Sequence, residues 1–137
     1  MPIKPSSAAH KGRTFELQVA RALGWNRTRG GDVMGKVGPF TVWCECKADK
    51  RLGLAKAFEQ ACDWCDQYCE EYGQPSIPMA AKRRAVSSPI IEVMLWLDGL
   101  MELCGCPDAA APALRVTCTL DDFARLVLHR SGGSHGT

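Results

Sequence analysis

Asp32, Glu45 and Lys47 are the residues whose types and spacing can do chemistry together. Thr41-Val42-Trp43-Cys44-Glu45-Cys46-Lys47 reads as a strand, because β-branched and aromatic residues cluster there. Side chains alternate faces along a strand. Thr41, Trp43, Glu45 and Lys47 therefore share one side, and Val42, Cys44 and Cys46 share the other, the expected core side. A carboxylate and an ammonium are thus held side by side on a rigid element. Asp32, in Gly30-Gly31-Asp32-Val33, lies 13 positions before Glu45. Gly35, Gly38 and Pro39 between them supply a turn. A hairpin closed there brings Asp32 alongside Glu45. Two carboxylates and a lysine at one spot are what a magnesium-dependent phosphodiesterase needs.

The elements that must position these groups follow from the pattern. A helix is expected from about His10 to Leu23, with Phe15, Val19 and Leu23 as its apolar stripe and Gly24 ending it. Glu16 lies next to that stripe, placed to point toward a sheet the helix covers. Trp25–Arg29 reads as a short strand leading into the two glycines. Asp32-Val33-Met34 opens the next strand, Gly35–Pro39 forms the turn and Phe40–Lys47 the strand after it. A long helix is expected over Leu54–Tyr72, ended by Gly73 and Pro75. Gln60 falls off its buried stripe, about one turn past the strand exit, within reach of Glu45 and Lys47. Ser76–Ala81 reads as a strand, Lys82-Arg83-Arg84 as a basic turn, and Pro89–Trp96 as a strand. Leu97–Leu103 and Asp121–Leu128 read as helices with a strand, Leu114–Thr119, between them.

The chain has 137 residues, which suits one domain. The expected division is a flexible N-terminus (1–9), one domain (10–130) and a Gly/Ser tail (131–137). The N-terminus is polar and has no apolar signal-like run. Glu92, Asp98 and Glu102 interrupt the most apolar stretch, Ile90–Leu103, so no membrane span is expected and the expected location is cytoplasmic. Net charge is +2, unevenly spread. Residues 1–51 hold ten Lys/Arg against four acids, and the remainder is net −4. Cations around an acidic site suit a polyanion such as nucleic acid. Lys11, Arg13, Arg27, Arg29, Lys50 and Arg51, with the Lys82-Arg83-Arg84 cluster, are the candidate phosphate contacts.

The eight cysteines include Cys62-x-x-Cys65, a metal-knuckle spacing that Cys44-x-Cys46 or Cys104-x-Cys106 could complete as a zinc site. The spacing of Cys62, Cys65 and Cys69 is equally that of a buried helical stripe, and a free thiol packs as a small hydrophobe. Packing is the preferred reading. The three histidines are scattered, and there is neither a P-loop nor a Gly-x-Ser-x-Gly elbow.

Lys11-Gly-Arg-Thr-Phe-Glu16, then Gly-Gly-Asp32-Val, then Glu45-Cys-Lys47 together resemble the PD-(D/E)XK nuclease superfamily, in particular archaeal and phage-type Holliday junction resolvases. The resemblance covers about residues 10–82. It implies an α/β fold, a restriction-endonuclease-like mixed β-sheet flanked by helices, with Mg²⁺ or Mn²⁺ as cofactor. It implies Asp32, Glu45 and the backbone carbonyl of Cys46 as metal ligands, with Glu16 completing the acidic site directly or through water. Lys47 would orient or activate the attacking water. Gln60 would match a glutamine found in the RecB-like branch, where an aromatic lies four residues on; Trp64 stands there. The implied function is a structure-selective DNA endonuclease acting on branched DNA as a homodimer, as in phage DNA recombination. Two alternatives stay open: a RecB-like nuclease of DNA ends or single strands, and a non-catalytic nucleic-acid-binding module of the same fold.

Overall fold

The computed structural model describes residues 7–28, 32–48, 53–85 and 87–129, without the side chains of 7–12 and 129. Arg29, Gly30, Gly31, Lys50 and Arg51, the side chain of Lys11, residues 1–6 and the 131–137 tail lie outside the described residues. The elements are α1 (Ser7–Leu23), β1 (Asn26–Arg27), β2 (Val33–Val37), β3 (Phe40–Lys47), α2 (Leu54–Tyr72), β4 (Ser76–Arg83), β5 (Ile91–Trp96), α3 (Leu97–Leu103), β6 (Arg115–Thr119) and α4 (Leu120–Ala124), with a π-helical turn over Arg125–His129. They form one α/β domain. Its single six-stranded sheet has the order β1-β2-β3-β4-β5-β6. Only β3 and β4 are parallel; every other neighbouring pair is antiparallel.

That one parallel pair needs a crossover, and α2 supplies it. The helix lies alone on one face, where Ala57 and Phe58 pack on Ala80 with Met94 and Trp96 beside them. The main core fills the other face. There Phe15, Val19 and Leu23 of α1 meet Val42, Cys44, Met79, Val93 and Leu95 from the sheet and Leu103, Leu120 and Phe123 from α3 and α4. β3 is therefore covered on both sides. Val42, Cys44 and Cys46 face the main core as expected, and Thr41 and Glu45 are buried too, because α2 covers their side.

The structure moves several expected boundaries. α1 starts at Ser7 rather than about His10. The strand expected over Trp25–Arg29 is reduced to Asn26–Arg27. Lys82 and Arg83 extend β4, because residues 80–83 pair with residues 91–94 of β5, so they are not a basic turn. The last helix breaks into α4 and the π-helical turn.

Gly35 is the most instructive change. It is a residue of β2, and the turn is confined to Gly38 and Pro39. The Trp25 indole lies flat against the Gly35 backbone, and a Cβ there would stand 2.1 Å from the ring. Trp25 in turn meets Phe123 edge-on, with ring centroids 6.1 Å apart. The glycine is a seat for a core tryptophan. Gly35→Ala is therefore expected to cost about 2–3 kcal/mol, at the upper end of overpacking penalties, read from the urea midpoint. Trp25→Leu in the same chain should return part of that loss, since the two changes share one contact.

Candidate metal centre

The β2–β3 ladder pairs Val33 with Cys44, Met34 with Trp43, Gly35 with Val42, Lys36 with Thr41 and Val37 with Phe40. One further step along this register sets Asp32 across from Glu45, and their side chains meet. Both residues are buried, each only 5% exposed. Lys47 lies two residues along the same face of β3, and its Nζ is 3.0 Å from Glu45 Oε1. The other oxygen, Glu45 Oε2, is buried without a hydrogen-bond partner.

Two carboxylates in such a place cannot both ionise cheaply. Burial, then the hydrogen bond and charge of Glu45, push the Asp32 carboxyl up to about 8. Lys47 opposes the rise, and Glu16 adds slightly to it. Without a cation, Asp32 is held mainly as the carboxylic acid.

These residues fit a hard divalent cation. They offer oxygen donors, a buried orphan oxygen, and a mutual repulsion that a 2+ charge relieves. The Cys46 main chain suits the role of third donor. Thr41 N–H donates to Pro75 O, on the β4 side. Main-chain groups alternate sides along a strand, so those of Cys46 point to the β2 side, beyond the last recorded β2–β3 pair.

Glu16 stands apart from the pair. It is on α1, against the opposite sheet face, and its Oε2 accepts from Arg27 Nε at 2.7 Å. Among the described residues no three His, Cys, Asp or Glu side chains come together as a metal cluster. Burial raises Cys65 to about 12, and a hydrogen bond with Cys46, then burial, hold Cys44 well above its usual value.

Gln60 keeps company with the site by register rather than by contact. Trp64 stacks on Trp43, with centroids 5.9 Å apart and planes 20° from parallel. One helical turn and two strand residues each span about 6 Å. Since α2 runs back against β3, Gln60, four residues before Trp64, stands level with Glu45, two residues after Trp43. It is half-buried and makes no hydrogen bond among the described residues.

The candidate phosphate contacts divide. Arg13 is exposed on α1. Lys82 lies beside Lys47 in the β3–β4 register. Arg83 donates to Gln18 Oε1 at 2.8 Å and covers the Phe15 ring, while Arg84 is held by Glu92. Arg27 is occupied by Glu16.

Sequence reasoning missed Thr28. Its N–H donates to Asp32 O at 2.7 Å, and its Oγ1 accepts from Asp32 N–H at 3.2 Å. The backbone of Asp32 is thereby clamped where β2 begins. A hydroxyl residue four places before the aspartate was the only signal.

Comparison of the chain with protein-family models, curated proteins and solved structures found no match.

Two outcomes follow from this geometry. Asp32 carries its proton in the folded chain to about pH 8, but loses it near pH 4 when unfolded. The stability this gives is fully present below pH 4 and is lost as pH rises through about 8. In EDTA, the Asp32-dependent part of the melting temperature should fall between pH 5 and pH 8.5, and Asp32→Asn should flatten that fall. Saturating Mn²⁺ should restore the wild-type value at pH 8.5 but not that of Asp32→Asn. Separately, Thr28→Val should weaken Mn²⁺ binding about ten-fold by calorimetry, while Thr28→Ser keeps it.

Proposed function

We propose that this chain is a divalent-metal-dependent nuclease that hydrolyses DNA phosphodiester bonds selectively by DNA structure. The observation that carries the reading is the buried Asp32–Glu45 pair across adjacent strands, with Glu45 Oε2 unpartnered and Lys47 3.0 Å from Oε1. Asp32, Glu45 and the Cys46 carbonyl would hold Mg²⁺ or Mn²⁺, while Glu16, engaged by Arg27, stands apart from them. When bound, the cation lowers the pKa of water and offsets charge on the phosphate oxygens.

The chain's own groups do the rest. Asp32 and Glu45, ionised together, accept hydrogen bonds from the attacking water and fix its direction. Lys47, partly exposed and anchored by Glu45, places a positive charge where the non-bridging oxygens gain charge, or donates to the water itself. Gln60, level with Glu45, offers a neutral donor to a phosphate oxygen. Lys82, next to Lys47, and Arg13 extend the cationic surface for the strand to either side, with Arg29, Lys50 and Arg51 as its sequence neighbours.

In one form of the reading the enzyme cuts four-way junctions as a homodimer, whose two-fold symmetry matches two equivalent strands. In the other it acts on ends or single strands. The placement of Gln60 and Trp64 on one flank of α2 favours the second.

The test is cleavage of a labelled four-way junction, its component duplex and a single strand, with Mg²⁺ and with EDTA. Asp32→Ala is expected to lower the rate at least about a thousand-fold. Lys47→Ala is expected to lower it about a hundred-fold or more. Full activity of Asp32→Ala, or activity in EDTA, would remove the reading. Paired nicks confined to the junction select the resolvase form, and loss from ends selects the other.

A further inference from the structure

The α2 side of the sheet is only half covered. α2 packs over β3, β4 and β5, and among the described residues no helix covers β2 on that face. Met34, half-buried, and Lys36, exposed, lie there on β2. A lane therefore runs between β2 and the near flank of α2, with Trp43 and Met34 as its floor. One end is the carboxylate pair and Lys47. The other is Lys36, whose Nζ donates to Gln74 Oε1 at 3.4 Å, an oxygen that also accepts from the Tyr68 hydroxyl. Lys36 pairs with Thr41, six residues before Lys47 on β3. The lane is thus about 20 Å long, the length of roughly three to six nucleotides of one strand.

The α2 wall is sorted by chemistry. At 100° per residue, Gln60, Trp64, Gln67, Tyr68 and the exposed Glu71 fall on the lane flank, whereas Glu59, Asp63, Asp66 and Glu70 fall on the outer face, away from it. Trp64 is 48% exposed although it stacks on Trp43, and Tyr68 tilts against both Trp43 and Tyr72. The Trp43 Nε1 donor at the lane floor is buried without a partner. An aromatic wall whose one acid, Glu71, lies at its last turn, with a lysine at each end of the lane, suits a chain that presents flat rings at regular intervals and a negative backbone. A duplex hides its ring faces in its own stack, so only an unpaired strand can use this wall.

We propose that this lane binds an unpaired DNA strand, its bases stacking on Trp64 and the Trp43–Tyr68 aromatics and its backbone bridging Lys36 and Lys47, so that the strand enters the Asp32–Glu45 centre end-on. The inference rests on the nuclease reading for what happens at that centre, but not for binding.

The test is a titration with a twelve-residue oligothymidine in EDTA, followed by intrinsic tryptophan fluorescence and by anisotropy of a 5′ label. An abasic strand of equal length and a twelve-base-pair duplex serve as controls. Wild type is expected to show quenching on oligothymidine. Trp64→Ala should bind it about ten- to a hundred-fold more weakly, and Trp64→Phe within about three-fold of wild type. Binding of the abasic strand and the duplex should change less than two-fold. Trp64 is exposed, so unchanged circular dichroism is expected to accompany the loss. The lane is overturned if Trp64→Ala binds oligothymidine as wild type does, or if all three probes weaken equally. A wild-type chain that cleaves DNA in Mg²⁺ with Trp64-independent strand binding keeps the nuclease reading and loses the lane. One that cleaves nothing but needs Trp64 for oligothymidine keeps the lane and loses the nuclease reading.

Discussion

The structure depends most on holding two carboxylates against each other in a nearly dry place. Asp32 sits where burial and the charge of Glu45 beside it both oppose its ionisation. Several features act on this conflict. The antiparallel register of β2 and β3 fixes the carboxyls opposite one another. Thr28 ties down the Asp32 backbone on both its polar groups. Lys47 supplies a partial counter-charge to one Glu45 oxygen and leaves the other vacant of partners. A proton on Asp32 relieves what remains. A group that displaces that proton and meets the orphan oxygen would release repulsion the fold otherwise retains. This is the conflict that the proposed cation site would resolve.

The rest of the fold divides the two faces of the sheet between stability and access. The face under α1, α3 and α4 is packed with apolar side chains, including a tryptophan so closely seated that its neighbour must be glycine. The α2 face is narrower in its cover among the described residues, and the two carboxylates lie buried at its β2–β3 edge. Several cations are engaged elsewhere on the molecule: Arg27 with Glu16, Arg84 with Glu92, Arg83 with Gln18 and Phe15. A basic half of the chain is not the same as a basic face: within it Arg27 is held by Glu16 and Lys47 by Glu45, on opposite faces of the sheet.

The β3 strand, α2 and α3 were legible residue by residue. Each combines strong periodicity with clear punctuation: Gly38-Pro39 before β3, Gly73 with Pro75 after α2. The Asp32–Glu45 meeting was legible as well, since a short hairpin turn fixes register once both strands are known. What was hidden depended on contacts distant in sequence. Gly35 looks like a turn residue in isolation, because its reason for being glycine is Trp25, ten residues earlier and on another strand's flank. Lys82 and Arg83 look like a turn because they are charged, yet they pair with β5 at the end of β4. The burial of Thr41 and Glu45 was missed because alternation marks two faces but not whether a helix covers the second. Glu16 was placed beside the apolar stripe of α1 correctly, but its partner Arg27 is set by the β1–β2 pairing.

One line of the structure is left without internal partners. Thr41 Oγ1, Trp43 Nε1 and Glu45 Oε2 are all buried without partners, and all three project from the same face of β3 at successive alternate residues. Unpaired buried polar groups are destabilising, on the order of 1–3 kcal/mol each, so chance would not be expected to line up three of them. Along this strand the opposite face carries Val42, Cys44 and Cys46, which ask for nothing but packing. The contrast within a single strand separates a face satisfied by packing from one that leaves buried polar groups unsatisfied. That row of groups runs under the aromatic flank of α2 and ends at the carboxylate pair. In the lane proposed above, this row forms the floor that a bound strand would cover.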